Sequence, residues 1–168
     1  MEAAMATVKL SMATQVPVST QEAWTWSTRP EGVRAEMRPL VKMVFPKSVT
    51  RIGADTRLGQ SLGRCHFLLF GLFPIDMSKL TFTEMVPGHR FVEQSPLLSM
   101  RSWRHERIIT PAPGGATITD HLEFTPRMAT PVVRWMVKQF FEHRHKMLAR
   151  SLGRQTRPAD AGAIGRAR

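Results

Sequence analysis

From Val132 to Leu152 nothing in the chain interrupts an α-helix: neither Pro nor Gly occurs in that stretch. Thr130-Pro131 ahead of it suits an N-cap followed by the first helical residue, and Gly153 suits the cap at the other end. At 1.5 Å per residue the segment spans about 30 Å. Val133, Met136, Val137, Phe140, Phe141, Met147 and Leu148 form one broad apolar stripe along it. Such a helix must be covered along its length, and little before it in the chain reads as a helix of comparable size. The partner therefore has to be a sheet.

The preceding residues supply that sheet. Val8, Leu10, Met12, Thr14 and Val16 alternate with Lys9, Ser11, Ala13 and Gln15, the pattern of a half-buried strand that stops at Pro17. Ser19 and Glu22 have capping-box spacing and open a short helix that carries Ala23, Trp24 and Trp26. Glu31–Met37 reads as a second short helix. Residues 40–51 form an irregular strand broken by Pro46. Further strands follow at Leu62–Leu72, Lys79–Val86, Arg90–Ser95, Met100–Ile109 and Ala116–Phe124, separated by Gly/Pro turn signals. Short connections favour antiparallel neighbours. The expected class is α+β: a curved antiparallel sheet of about seven strands round one long C-terminal helix, with two short helices after the first strand. A long sheet served by one helix leaves an internal cavity, expected to open near the two short helices.

Charge divides the chain. Residues 127–168 hold 10 basic and 2 acidic side chains, so most of the formal +11 lies in the last quarter. The domain is expected over residues 1–152, followed by a basic, unstructured tail at 153–168. The start resembles no signal peptide, and no apolar run is long enough to cross a bilayer, so a cytoplasmic protein is expected. Cys65 is the single cysteine, which excludes an internal disulfide and a multi-thiolate zinc site. It reads as a small core residue. The chain has no tyrosine, which excludes mechanisms that use a Tyr phenol. His143 and His145, two apart on a helix, do not share a face and make poor joint metal ligands. No metal or cofactor is expected.

The turn at Pro111–Gly115 sets a hairpin. With Thr110 facing Gly115, His105 falls opposite Asp120, Trp103 opposite Leu122 and Arg107 opposite Ile118. Trp103, His105 and Arg107 then share the more apolar, inner face with Asp120 and Leu122. A buried His–Asp pair can lock strand register, contact a ligand, or serve as a general base whose imidazole is oriented by the carboxylate; His105 and Asp120 are the candidate catalytic residues. Arg144 lies at the edge of the helix stripe, placed either to pair with a carboxylate of the sheet or to anchor an anionic ligand group. Eleven Met and nine Phe allow an adaptable apolar lining. Trp24, Phe70, Phe82, Met136 and Phe140 are its expected members, beside Trp103, Leu122, His105, Arg107 and Arg144.

Four stretches together resemble a known superfamily. They are Val16-Pro17-Val18-Ser19-Thr20-Gln21-Glu22-Ala23-Trp24; Trp103-Arg104-His105-Glu106; Gly114–Phe124 with its glycine turn and Thr117-x-x-Asp120; and Phe141-x-x-Arg144-x-x-x-Leu148 in the last helix. In that order they are similar to the helix-grip proteins of the START and birch-pollen-allergen superfamily, most nearly its bacterial SRPBCC polyketide cyclase/dehydratase and ligand-binding branch. The resemblance covers about residues 5–152. It implies a helix-grip fold and a cavity for a small hydrophobic or amphipathic molecule, in a monomer or homodimer, but no shared catalytic set. Three functions compete: binding or carriage of such a ligand; a cyclase/dehydratase-like enzyme acting on an aromatic or polyketide substrate; and a basic interaction module. For the last, weak binding to anionic surfaces through the C-terminal helix and tail is expected. Nucleic acid is disfavoured, because the sheet aromatics should lie under the helix.

Overall fold

A computed structural model describes residues 6–155. The elements follow the order β1 (Val8–Val16), α1 (Thr20–Ser27), α2 (Pro30–Met37), β2 (Val41–Val44), β3 (Ser61–Leu69), β4 (Phe73–Val86), β5 (Arg90–Glu93), β6 (Met100–Ala112), β7 (Gly115–Pro126) and α3 (Thr130–Gln155). The strands form one seven-stranded antiparallel sheet in the order β1-β7-β6-β5-β4-β3-β2. β1 returns to pair with β7, and α3 packs mainly against β1 and α2. This is the α+β helix-grip architecture.

Local chemistry explains the elements. Ser19 and Glu22 close the capping box of α1: Glu22 N donates to Ser19 Oγ, and Ser19 N donates to Glu22 Oε2 at 2.9 Å. Pro30 starts α2, where its missing N–H costs nothing. Gly115 must be glycine because a Cβ there would lie 2.0 Å from the Val16 carbonyl oxygen, where β1 leaves the sheet.

Three boundaries differ from the sequence reading. The β6–β7 loop is only Pro113-Gly114, with Gly114 at φ 75°, the Pro-Gly arrangement that turns a chain in two residues. Pro111 and Ala112 therefore belong to β6. Pro111 is tolerated because β5 has ended by then, so its missing donor faces no partner strand. The register consequently moves by two: Arg107 pairs with Asp120, His105 with Leu122 and Trp103 with Phe124. An even shift keeps every side chain on its expected face. β4 begins at Phe73, earlier than expected, and takes Pro74 where its β5 side is unpaired. α3 runs through Gly153 to Gln155, so Gly153 is not its cap. The remainder of the expected tail, residues 156–168, lies outside the described residues.

The apolar side of α3 is not buried evenly. Phe141, Leu148 and Leu152 are buried, whereas Val132, Trp135 and Met136 near its start are exposed. The C-terminal half seals against the sheet, and the N-terminal half stands over a void. Among the described residues no helix is long and apolar enough to cross a membrane.

Candidate ligand cavity and its buried charge cluster

Arg107 organises the interior. It points inward from β6 beside its cross-strand partner Asp120, and both are about 1% exposed. Its Nε and Nη2 each lie 2.7 Å from Asp120 oxygens. Nη1 and Nη2 also grip Glu36 of α2 at 2.9 and 3.1 Å, and Nη1 reaches Ser27 Oγ at the end of α1 at 3.3 Å. All five N–H donors of the guanidinium are thereby used. Burial alone would lower its pKa; Asp120 and Glu36 reverse that and hold it firmly charged.

Asp120 receives two further donors. His105 Nε2 lies 2.9 Å from Oδ1, and His145 Nε2, from α3, lies 3.0 Å from Oδ2. The other nitrogen of His145 meets Thr14 Oγ1 of β1 at 2.7 Å. His105 has a second carboxylate at its other nitrogen: Glu93 of β5, its cross-strand neighbour, is 3.6 Å from Nδ1. Burial would depress the His105 pKa, but the Asp120 charge and the hydrogen bonds to Asp120 and Glu93 outweigh it and raise it above the usual histidine value. Burial works against the Asp120 charge too, yet Arg107 and His105 hold its pKa well below the ordinary aspartate value. Glu36 is likewise lowered: the cost of burial is outweighed by Arg107 and Arg144, whose Nη2 donates to it at 2.8 Å.

One network thus joins β1, β5, β6, β7 and all three helices. Its net stabilisation is small, because desolvation offsets most of the Coulomb gain, but removing one partner strands the rest. A single relative placement of helices and sheet satisfies it.

This network forms one wall of a cavity of about 590 Å³ between the sheet and the first half of α3. The lining is otherwise mostly apolar: Met43, Phe67, Leu80 and Phe91 from the sheet, Met37 from α2, Phe140 and Val137 from α3. Ser27, Glu93, His105, Arg107 and Arg144 belong to the polar wall, while Asp76 and Gln139 stand nearer the exposed rim. The mouth is marked by exposed lining residues, Phe70 and Ile75 on one side and Trp135 and Met136 on the other. It therefore opens between the β3–β4 turn and the start of α3. It was expected near the two short helices, but Ser27 of α1 belongs to the closed wall, and Met37 at the end of α2 is buried.

Of the residues expected to line the cavity, the structure brings Phe70, Phe82, Trp103, His105, Arg107, Met136, Phe140 and Arg144 to it. It does not bring Trp24 or Leu122. Trp24 packs edge-on to Phe91, ring centroids 6.2 Å apart, in the closed core beneath α1. Leu122 lies on β7 in a sealed cluster with Val8, Phe124 and Phe141. Leu122 is excluded because α3 packs over the β1–β7 edge, and Trp24 because α1 itself closes over it against Phe91. Asp120 stays behind His105 and Arg107, away from the lining.

Glu36, Glu93, Ser27 and His145 were not anticipated. Three of them left a signal. Glu36 shares a helix face with Val33 and Met37, Glu93 alternates onto the face of Phe91, and His145 falls between Phe141 and Leu148 on the buried stripe. A charged or polar group on an otherwise apolar face marks a buried network.

These features define the class: a helix-grip domain with an internal cavity. Solved structures agree on the fold. An aromatase/cyclase from a Streptomyces species superposes with TM-score 0.68 at 10% identity, covering 95% of this chain and 100% of that one. A START superfamily protein from Mycobacterium smegmatis gives 0.61 at 11% identity, covering 88% and 99%. A Chromobacterium violaceum protein gives 0.67 at 15% identity, covering 87% and 98%. Among curated proteins none matches the sequence. The chain belongs to the family described as "Domain of unknown function (DUF8410)", whose model matches residues 14–152.

Proposed function

We propose that this protein binds a small, mostly apolar molecule whose polar end is an uncharged hydrogen-bond acceptor, such as a carbonyl or hydroxyl. The observation that carries this reading is the shape of the cavity's chemistry: about 590 Å³ of mainly apolar lining with one polar wall. That volume is within the range of small-molecule sites. At the wall, Arg107, Arg144 and His105 stand against Glu36 and Glu93, with Asp120 behind them. Both guanidinium groups already face carboxylates, which favours a neutral polar group over an ion. Arg107 has no donor to spare. Among the described residues Arg144 donates to Glu36 through Nη2 alone, so its Nη1 is donor capacity left for a ligand.

The same geometry disfavours acid–base chemistry through His105 and Asp120. A general base needs a free nitrogen lone pair, whereas each ring nitrogen of His105 faces a carboxylate. Asp120 already accepts four donors. The fold neighbours include an aromatase/cyclase, but a shared fold does not carry an activity with it.

The test uses N-phenylnaphthylamine, a neutral apolar probe that fluoresces when it leaves water. Stoichiometric binding that Val137→Trp weakens about tenfold, by narrowing the lining, supports the reading. Absent binding, or binding indifferent to that substitution, overturns it. Mass spectrometry of organic extracts of the natively purified protein then identifies the ligand.

A further inference from the structure

Nine of the large apolar side chains with high exposure gather at the end of the molecule where the cavity opens. Phe70, Leu72, Phe73 and Ile75 are 50–75% exposed on the β3–β4 turn and the start of β4. Met128, Val132, Trp135 and Met136 are 56–71% exposed before and along the first turns of α3. Leu98 joins the first group, since its backbone N–H donates to Asp76 Oδ1 and to the Met77 carbonyl. Phe70, Ile75, Trp135 and Met136 line the same cavity, so the two groups flank one opening. Phe70 also has φ 50°, a backbone conformation in which glycine or asparagine is unstrained and phenylalanine is not. An aromatic ring therefore stands at the mouth against the local backbone preference.

Apart from Asp76, the charges round this rim that are in no ion pair have one sign. Lys42 underlies the turn, its Cδ within 3.7 Å of where a Gly71 Cβ would lie. Arg101, Arg127 and Arg134 flank the other side. All four are exposed, and among the described residues none is in an ion pair. The nearby carboxylates are committed: Asp76 to Ser99 and to the backbone N–H groups of Met77, Leu98 and Ser99, and Glu142 to Lys138.

We infer that this rim docks on an anionic lipid surface, with the cavity mouth facing the bilayer. Protruding Phe, Leu, Ile and Trp side chains ringed by Lys and Arg match a membrane interface, where aromatic rings sit at headgroup depth and basic groups meet anionic headgroups. A second copy fits poorly, because a mouth-to-mouth pair would oppose cations with cations. The surface differs from the basic C-terminal segment expected from the sequence, since it lies at the opposite end of α3. It rests on the cavity reading only for its purpose: an apolar ligand would pass between bilayer and cavity without crossing water.

The experiment is co-sedimentation of the full chain, without added ligand, with vesicles of phosphatidylcholine alone or of an equal mixture with phosphatidylglycerol. Binding to the mixed vesicles at least about tenfold tighter than to phosphatidylcholine is expected. Leu72→Ser/Phe73→Ser, which leaves every charge in place, should weaken it about tenfold or more. Arg101→Gln/Arg127→Gln/Arg134→Gln should do the same. Brominated phosphatidylcholine in the mixed vesicles should quench the parent's tryptophan fluorescence and quench Trp135→Phe much less. Four results overturn the inference: no vesicle binding; equal binding to both vesicle types; binding that the rim variants leave intact, which would place it on the C-terminal segment; or rim-dependent self-association or capture of an acidic protein in place of lipid binding. Leu72 and Phe73 lie outside the lining, so N-phenylnaphthylamine binding should survive that double change. Loss of probe binding in the parent would overturn the cavity reading and leave the vesicle result standing.

Discussion

Replacing Asp120 by Asn tests the buried network at its centre. Oδ1 receives His105 Nε2 and Arg107 Nε, while Oδ2 receives Arg107 Nη2 and His145 Nε2. Whichever way the new amide is turned, its NH₂ faces two donors. Two charge-assisted hydrogen bonds are therefore lost, at about 1.5–3 kcal/mol each. This agrees with the 3–5 kcal/mol typical of breaking a buried ion pair by removing one partner. The expected loss is about 3–5 kcal/mol in urea unfolding, a large share of the 5–15 kcal/mol that holds an ordinary domain together. His105 responds as well. Its folded pKa is raised, so its contribution to stability is complete below the unfolded value near 6.5 and fades as pH rises through the folded value. With Asp120 neutral, its raising influence on His105 is lost, the His105 pKa falls, and this contribution shrinks. NMR titration of His105 reads the shift directly. Should Asp120→Asn fail to fold, Thr14→Val is the milder probe: it removes the His145 Nδ1 partner alone and should cost about 1 kcal/mol. An unchanged urea midpoint for Asp120→Asn, or a His105 titration identical to the parent's, would refute the network as described.

Other consequences follow from the same structure. Asp120 and Glu36 have lowered folded pKa values, so their stabilisation is present above the usual carboxylate range and lost as pH falls through the folded values; acid unfolding followed by circular dichroism should begin only below about pH 4 and move upward in Glu36→Gln. Burial, with a smaller contribution from Glu93, pushes the Cys65 thiol up to about 12; Ellman's reagent at pH 8 should leave the folded protein unlabelled and react in full once urea unfolds it. Phe70→Asn relieves a left-handed backbone strain of about 1 kcal/mol; the melting temperature should hold or rise by about 2–4 °C, and a clear fall would show that the ring stabilises the turn by packing.

The periodicities that the chain carries are local, and they were enough for the architecture. A helix uninterrupted to Leu152, with an apolar stripe from Val133 to Leu148, demands a covering sheet, and alternation in β1 and between the turns supplies one. The inward faces of β6 and β7 were legible as well, because side-chain alternation survives an error of two in register. The register itself was not: whether Pro111 ends a strand depends on where β5 stops, a fact about a neighbour rather than about Pro111. Helix capping failed similarly at Gly153, where the helix continues to Gln155 although its local sequence favours an end. Arg107 was visible as an inward-facing residue, but its partners Glu36 and Ser27 lie 71 and 80 residues away, and no spacing rule joins such distant positions. The position of the cavity is the clearest case. Trp24 and Leu122 are as apolar as Phe82 and Trp103, yet the first two are sealed and the second two line the void. The seating of α1 over Trp24 and of α3 over the β1–β7 edge makes that division. α3 is held there by the packing of Phe141 and Leu148 and by the salt bridge of Arg144 to Glu36 of α2, contacts that exist only once the chain has closed on itself.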